Sequence, residues 1–283
     1  MDNTVIAKYG TPAVVGLFLL LLWLQLQHPL RRWVLPKLRH LVINLVVGGV
    51  AAVLAQLVVL PVGLAVTAWT ARERFGLLHW MALPGWLSAT LGFVLLDFTF
   101  YYWHRWNHVW GFLWRFHNVH HADPDLDVST ALRFHFGEIA LSTAFRVVQL
   151  GLIGVATPVY LVFEFVFGVA VQFHHANLRL PWGLERALNW LIVTPRMHGI
   201  HHSVIQRETN SNYSTIFCWW DKLHGSFHPL EVHEGVVIGV PAYNDPRDQR
   251  IPALLAMPFR RQREYWAWAA SGEREADVSP RSG

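Results

Sequence analysis

Along the first 175 residues, long apolar runs alternate with short polar connections. From Tyr9 to Leu30 no side chain carries a fixed charge, and Gly16–Leu24 reads GLFLLLLWL. About 20 apolar residues let a helix cross the hydrocarbon core of a bilayer, so this run predicts a first span. It lacks the small-residue cleavage site that a signal peptide would place ahead of Arg31 and Arg32. A second span is expected within Leu41–Ala71, with Pro61 as the place for a kink. A third runs from about Pro84 to Tyr102. The segment Ile139–Phe173 carries Arg146 and Glu164 and is divided by Thr157-Pro158. Its halves sit at the lower length limit for a crossing, which predicts a tight helical hairpin; one helix lying in the membrane surface is the alternative. Beyond His202 the chain turns polar, and the tail from Ser271 (SGEREADVSPRSG) predicts disorder. No internal repeat is visible.

Charge orients these spans. Arg31, Arg32, Lys37 and Arg39 follow the first run, and basic residues mark the cytoplasmic side. The N-terminus is then outside, although Arg72 and Arg74 run against the rule. Counting crossings places His104–His135 and His174–His202 together on the cytoplasmic face, in a bacterial inner membrane. Composition agrees: of 283 residues, 53% are hydrophobic and only 15% charged, against about 25% charged in soluble domains. The net charge of +4 does not gather into an aromatic-interleaved stripe, so no nucleic acid partner is expected. The single cysteine, Cys218, excludes an intramolecular disulfide and a CxxC site.

Seventeen histidines change the picture, because eleven of them lie between His104 and His202. They form HxxxH at His104 and His108, HxxHH at His117, His120 and His121, a pair at His174 and His175, and HxxHH at His198, His201 and His202. Residues at i, i+3 and i+4 share a helix face, so each group can present its imidazoles to one point. Imidazole suits Fe, Zn, Cu and Ni, and eight to ten donors imply two ions with four or five nitrogens each. His28, His40, His79, His224, His228 and His233 stand alone and are expected at the surface or an interface, with His135 and His174 intermediate. Asp97, Tyr101, His104 and His108 form one stripe, which makes Asp97 a candidate hydrogen-bond partner of a ligating imidazole. There is no HExxH, no Glu-x-x-His pair, no Gly-rich phosphate loop and no GxSxG. Asp123, Asp125 and Asp127 alternate like a calcium loop, but Val128 and Phe134 stand where Gly and Glu are needed. The expected fold class is all-α: a polytopic membrane helical bundle with a cytoplasmic, helical, histidine-rich metal-binding cap. A non-enzymatic membrane metal- or haem-binding protein is the alternative function; a transporter would place its ligands near the bilayer midplane, and a haem would show a Soret band.

The run Asp97-FTFYYW-His104-RWN-His108, His117-NV-His120-His121 and STALRFH (Ser129–His135) resembles the fatty acid hydroxylase/sterol desaturase superfamily. So do Phe173-HHANLRLP, NWLIVTPRMHGIHHS (Asn189–Ser203) and WWDKLHGSF (Trp219–Phe227). The resemblance covers about Leu95 to Phe227. It implies an integral-membrane, non-haem di-iron oxygenase that uses O2 and two electrons to hydroxylate or desaturate a lipid of fatty acyl, sterol, carotenoid or ether-lipid type. The implied metal ligands are His104, His108, His117, His120, His121, His198, His201 and His202, with His175 as a ninth. His135 sits where many members have RxHP, with Phe136 in place of the Pro; His135 and Asn177 are carried as supporting residues or extra ligands. Members that cleave ether lipids place Glu after the second histidine of the first box, where Val109 stands here. Zinc is expected as a substitute in heterologous preparations. Electrons must come from an external ferredoxin- or cytochrome-like donor, since neither a flavin nor a nicotinamide motif is present. The implied organisation is 1–94 as N-terminal transmembrane helices, 95–230 as the oxygenase domain with its membrane hairpin at 139–173, and 231–283 as a cytoplasmic extension.

Overall fold

The computed structural model describes residues 3–230 and 235–267, with side chains from residue 10; His233 and the tail from Ser271 lie outside them. Among the described residues there is no β-strand, only three isolated bridges. The helices are α1 (Asn3–Gln27), α2 (Lys37–Leu54), α3 (Leu60–Glu73), α4 (Leu77–Trp80), α5 (Gly85–Val109), α6 (Gly111–His121), α7 (Phe136–Ile153), α8 (Thr157–His175), α9 (Trp182–Leu188) and α10 (Pro195–His201), followed by shorter turns including α11 (Gln206–Thr209) and α12 (Trp219–His224). Four segments are long and apolar enough to cross a membrane: Gly10–Gln27, Lys37–Trp80, Phe136–Ile153 and Thr157–His175. Their outward side chains stay apolar, as at Leu19, Trp23, Leu57 and Leu152, which suits lipid as the surrounding solvent.

Pro61 does not break the second segment. A π-helical turn, Ala55–Val59, joins α2 to α3. The proline ring meets the carbonyl four residues back, at Leu57, and the widened turn absorbs that conflict. The segment Ile139–Phe173 is a hairpin of α7 and α8. It turns at Gly154, whose φ of 73° is left-handed and open to glycine without strain. There the hairpin tip packs on Gly76, at the far end of α3.

The helix expected from Pro84 to Tyr102 is α5. It has the length of a crossing but is not among the four apolar segments, because Asp97, Thr99, Tyr101 and Tyr102 dilute it. It runs antiparallel to α7, from Gly92 beside Val155 at the tip to Trp103 stacked on Phe145. A buried apolar cluster including Leu96, Leu150, Ile153, Tyr160 and Phe163 holds α5, α7 and α8 together. Within it Arg146 pairs with Glu164 at 3.0 Å and with Gln149 at 2.5 Å, so the hairpin's charges face protein rather than lipid. The end of α5, all of α6, the end of α8 and α10 therefore meet at the end of the bundle opposite the Gly76–Gly154 contact. Exposed Arg186 in α9 lies at the first end and exposed Glu73 at the second. With buried Cys218 replaced by serine, single cysteines at Glu73 and Arg186 should react with an impermeant thiol reagent from opposite sides of a sealed membrane. Labelling of both from one side would contradict this arrangement.

Candidate metal centre

Helix α6 shows how the chain sorts its histidines. At 100° per residue, i+4 is displaced by about +40° and i+3 by about −60° from i, so neighbouring side chains diverge. His117 and His121 accordingly turn to one cluster and His120 to another. Helix α10 does the reverse: His198 and His202 join the cluster of His120, and His201 joins that of His117 and His121. Each HxxHH box thus serves two points instead of the single point its spacing suggests. His104 and His108, one turn apart on α5, complete the first cluster, and His175 at the end of α8 completes the second. Within each cluster the ligating nitrogens all lie within 4.8 Å of one another.

Outer hydrogen bonds fix the rings. His104 Nδ1 donates to the Tyr213 carbonyl at 2.7 Å, His201 Nδ1 to the Ser211 carbonyl at 2.7 Å, and His175 Nδ1 to the Val171 carbonyl at 2.7 Å. A carbonyl only accepts, so each Nδ1 carries the proton and each Nε2 offers a bare lone pair. The inner nitrogens then face one another: His104 and His201 Nε2 at 3.1 Å, His120 and His175 at 3.1 Å, His175 and His198 at 3.0 Å, His198 and His202 at 3.2 Å. His104 and His201 both carry the proton on Nδ1, so between them lone pair faces lone pair, which repels unless a cation lies between. Metal–nitrogen bonds of about 2.0–2.1 Å set neighbouring donors about 3 Å apart, as here. Burial, reinforced by the surrounding imidazoles, holds His120, His121, His198, His201 and His202 well below the usual histidine range. They are neutral near pH 7 and free to ligate. Both nitrogens of His108 and Nε2 of His117 and His121 are buried without a hydrogen-bond partner. The residues present therefore fit a pair of ions bound through imidazoles, five donors in one cluster and four in the other.

A small cavity of about 50 Å³ adjoins both clusters. Phe100 and Trp103 of α5, Phe134, and Phe167 and Val171 of α8 give it apolar walls, and His104, His117, His120, His175 and His198 close its polar end. Glu138, in the first turn of α7, also lines it and accepts from His117 Nδ1 at 2.8 Å. Sequence spacing gives no sign of this carboxylate, since it lies 21 residues from its partner in an otherwise apolar run.

The candidate supporting residues take other places. Asp97 touches no histidine: it accepts from the backbone N–H of Ile216 and Phe217 and from Trp220 Nε1 at 2.7 Å. It thereby anchors the loop that carries Tyr213, because that loop reaches it before any imidazole does. His135 lies outside both clusters. Its Nδ1 accepts from Gly137 N at the start of α7 and its Nε2 faces the Leu255 carbonyl, so both nitrogens are occupied. The Asn177 side chain bonds the Arg31 backbone. His174 is buried with its ring 4.1 Å from that of His198 but outside the second cluster. His40, expected at a surface, is fully buried, 2.8 Å from Asp123. His224 bonds Tyr102 and the Trp220 carbonyl.

The fatty acid hydroxylase family model matches residues 89–226. The chain is 33% identical over 175 residues to the ornithine lipid hydroxylase OlsE of Rhizobium tropici, covering 62% of this chain and 51% of that protein. It is 31% identical over 173 residues to human alkylglycerol monooxygenase, covering 61% of this chain and 36% of that one. Human cholesterol 25-hydroxylase is 26% identical over 172 residues, 55% of this chain and 61% of the relative. The chain thus spans about half or less of the first two relatives. No solved structure matches it.

Proposed function

Since the chain belongs to the fatty acid hydroxylase superfamily, we propose that it is an integral-membrane, non-haem di-iron oxygenase that hydroxylates a lipid. The observation that carries this reading is the pair of all-histidine clusters at the polar end of an apolar cavity. His104, His108, His117, His121 and His201 would hold one iron, and His120, His175, His198 and His202 the other. When bound, the pair supplies reductive activation of O2 and oxidation of an unactivated C–H bond, so that lipid, O2, two electrons and two protons give an alcohol and water. Phe100, Phe134, Phe167 and Val171 would bind the alkyl segment and keep water from it. The cavity lies where α5 and α8 meet, which lets an insoluble chain arrive from the bilayer. Glu138 and the carbonyls of Tyr213, Ser211 and Val171 would orient the imidazoles that face it. The names of the relatives support hydroxylation over desaturation. A ferredoxin- or cytochrome-like donor would dock on the face bearing Arg32, Lys37 and Arg39, which basic residues assign to the cytoplasm.

Anaerobically loaded protein should carry about two irons per chain, and membranes of cells expressing it should contain an oxygenated lipid absent from a deletion strain. One iron or fewer in active protein would contradict the di-iron reading. Zinc in a heterologous preparation would fill the same imidazoles. Glu138→Gln should lower metal affinity or turnover by about 10–100-fold, the usual effect of losing a ligand's outer partner, while the helical content stays unchanged. Unaltered metal retention and turnover would remove Glu138 from this role.

A further inference from the structure

Two short segments that belong to no span pair with each other along α5. Val193 N donates to the Ile216 carbonyl at 3.1 Å, and Cys218 N to the Leu191 carbonyl at 3.2 Å. Asp97 fastens the pair to the helix, accepting from the backbone N–H of Ile216 and Phe217 and from the indole N–H of Trp220. Asp97 precedes His104 by seven residues, about 10 Å along the helix axis. Phe217 reaches further. Its ring lies 6.2 Å from that of Phe93, which is about 16 Å along the axis from His104.

This is the depth of the hairpin's interior. Phe93 also meets Phe163 of α8, ring to ring at 5.4 Å, and Gln149 of α7 donates to the Leu96 carbonyl at 2.9 Å. Phe163 and Gln149 lie inside the apolar segments Thr157–His175 and Phe136–Ile153. A bilayer that takes in those helices therefore takes in the paired segments beside them.

The outward side chains suit that place. Trp190 is 80% exposed, Leu191 48% and Trp219 41%. Polar atoms turn inward: the Trp219 indole N–H donates to the Trp190 carbonyl at 3.1 Å, and Lys222 Nζ donates to the Asn189 carbonyl at 2.8 Å. Hydrocarbon demands such internal pairing. Exposed Arg186 and Lys222 stand at the rim, where long cationic side chains reach headgroups from an apolar base.

We propose that residues 189–193 and 216–220 form a wedge that enters the leaflet nearest the histidine clusters, with Trp190, Leu191 and Trp219 in contact with lipid. The wedge would seal the Asp97 face of α5 from hydrocarbon. It would also anchor to the bilayer the chain that leads into α10 and the loop whose Tyr213 carbonyl holds His104. The proposal rests on α7 and α8 crossing the membrane and not on the oxygenase chemistry.

The test places single bimane-labelled cysteines in the full-length chain, with Cys218 replaced by serine, in phosphatidylcholine nanodiscs. The quenchers are nitroxides on the lipid acyl chain and iodide in the water. Trp190→Cys and Leu191→Cys are the probes. Val148→Cys, 57% exposed on α7 beside Gln149, is the lipid reference. Arg250→Cys, at an exposed position next to buried Gln249, is the water reference. The nitroxide should quench both probes as it quenches the lipid reference. Iodide should quench them about tenfold less than the water reference, because an ion enters hydrocarbon only at high cost. Iodide quenching equal to that of Arg250→Cys would overturn the wedge, while a lipid-quenched Val148→Cys keeps the spans. Protection from iodide without nitroxide quenching would mean that protein covers the patch, and overturns the wedge as well. If Val148→Cys escapes the nitroxide, spans and wedge fall together. Either probe decides alone should the other variant not fold.

Discussion

Replacing His120 with alanine is expected to lower turnover by more than about 100-fold, beyond the 10–100-fold range of an outer hydrogen-bond partner. His120 Nε2 lies 3.1 Å from His175 Nε2 in the four-histidine cluster, and its ring stacks on Phe134 at the cavity wall. Its removal leaves three donors for the second ion, so iron content should fall together with activity. Membrane insertion should be unaffected, since the spans insert by their own hydrophobicity. The apo fold should also persist, because the change deletes a buried imidazole whose Nδ1 has no partner. His28→Ala, at an exposed position, serves as the control. Substantial product from His120→Ala in membranes with normal protein levels would remove His120 from the ligand set.

Asp123→Ala should have the largest effect on stability, about 3–5 kcal/mol, the range for removing one partner of a buried ion pair. Asp123 is fully buried and takes hydrogen bonds from His40 at 2.8 Å, Thr130 at 2.9 Å and Asn44 at 3.1 Å, with Arg133 Nη1 at 3.5 Å. Without it the buried Arg133 charge loses its counterion. Arg133 also donates to the Val119 carbonyl at 2.9 Å and to Gln249 at 2.6 Å, so the damage should reach the end of α6 and reduce metal retention. Burial raises the Asp123 carboxyl, but Arg133 and His40 outweigh it and hold the group well below the usual carboxylate range. The stabilisation is therefore present above the unfolded value near pH 4 and is lost only as pH falls through the lower folded value. The wild-type chain keeps it through neutral and mildly acidic solution. Denaturation of Asp123→Ala in nanodiscs within about 1 kcal/mol of wild type would show that this network does not brace the site.

Much of this was legible in the chain because helical periodicity turns histidine spacing into geometry. Eight of the nine clustered histidines stand in the three boxes, and the family resemblance singled out His175 from its pair with His174. Their division between clusters could not be read, because i+3 and i+4 count equally as neighbours until the other helices are in place. The outer partners were mostly hidden for a different reason. The carbonyls of Tyr213, Ser211 and Val171 belong to the backbone, which residue identity does not reveal. Glu138 stands one residue ahead of the hairpin expected from Ile139, with no spacing that ties it to His117. The partners of Asp97 are hidden because a helical stripe shows only what shares its own face, whereas the loop at Ile216–Trp220 arrives from about 120 residues away. His40 appeared solitary for the same reason, since its partner Asp123 lies 83 residues on. Pro61 marked a real irregularity, but the chain met it with a π turn, a local choice that the apolar pattern does not encode.

His120 and His121 are adjacent in the chain yet belong to different clusters, and so do His201 and His202. One peptide unit, 3.8 Å between α-carbons, separates donors to the two centres. Ions held there as proposed would therefore be thermodynamically linked. The first would fix the facing imidazoles of α6 and the seven-residue α10, and the second would find them already set. Half-loaded chains should then be scarce at equilibrium and the loading curve sigmoidal. By the same linkage, loss of either ion should loosen the hold on the other.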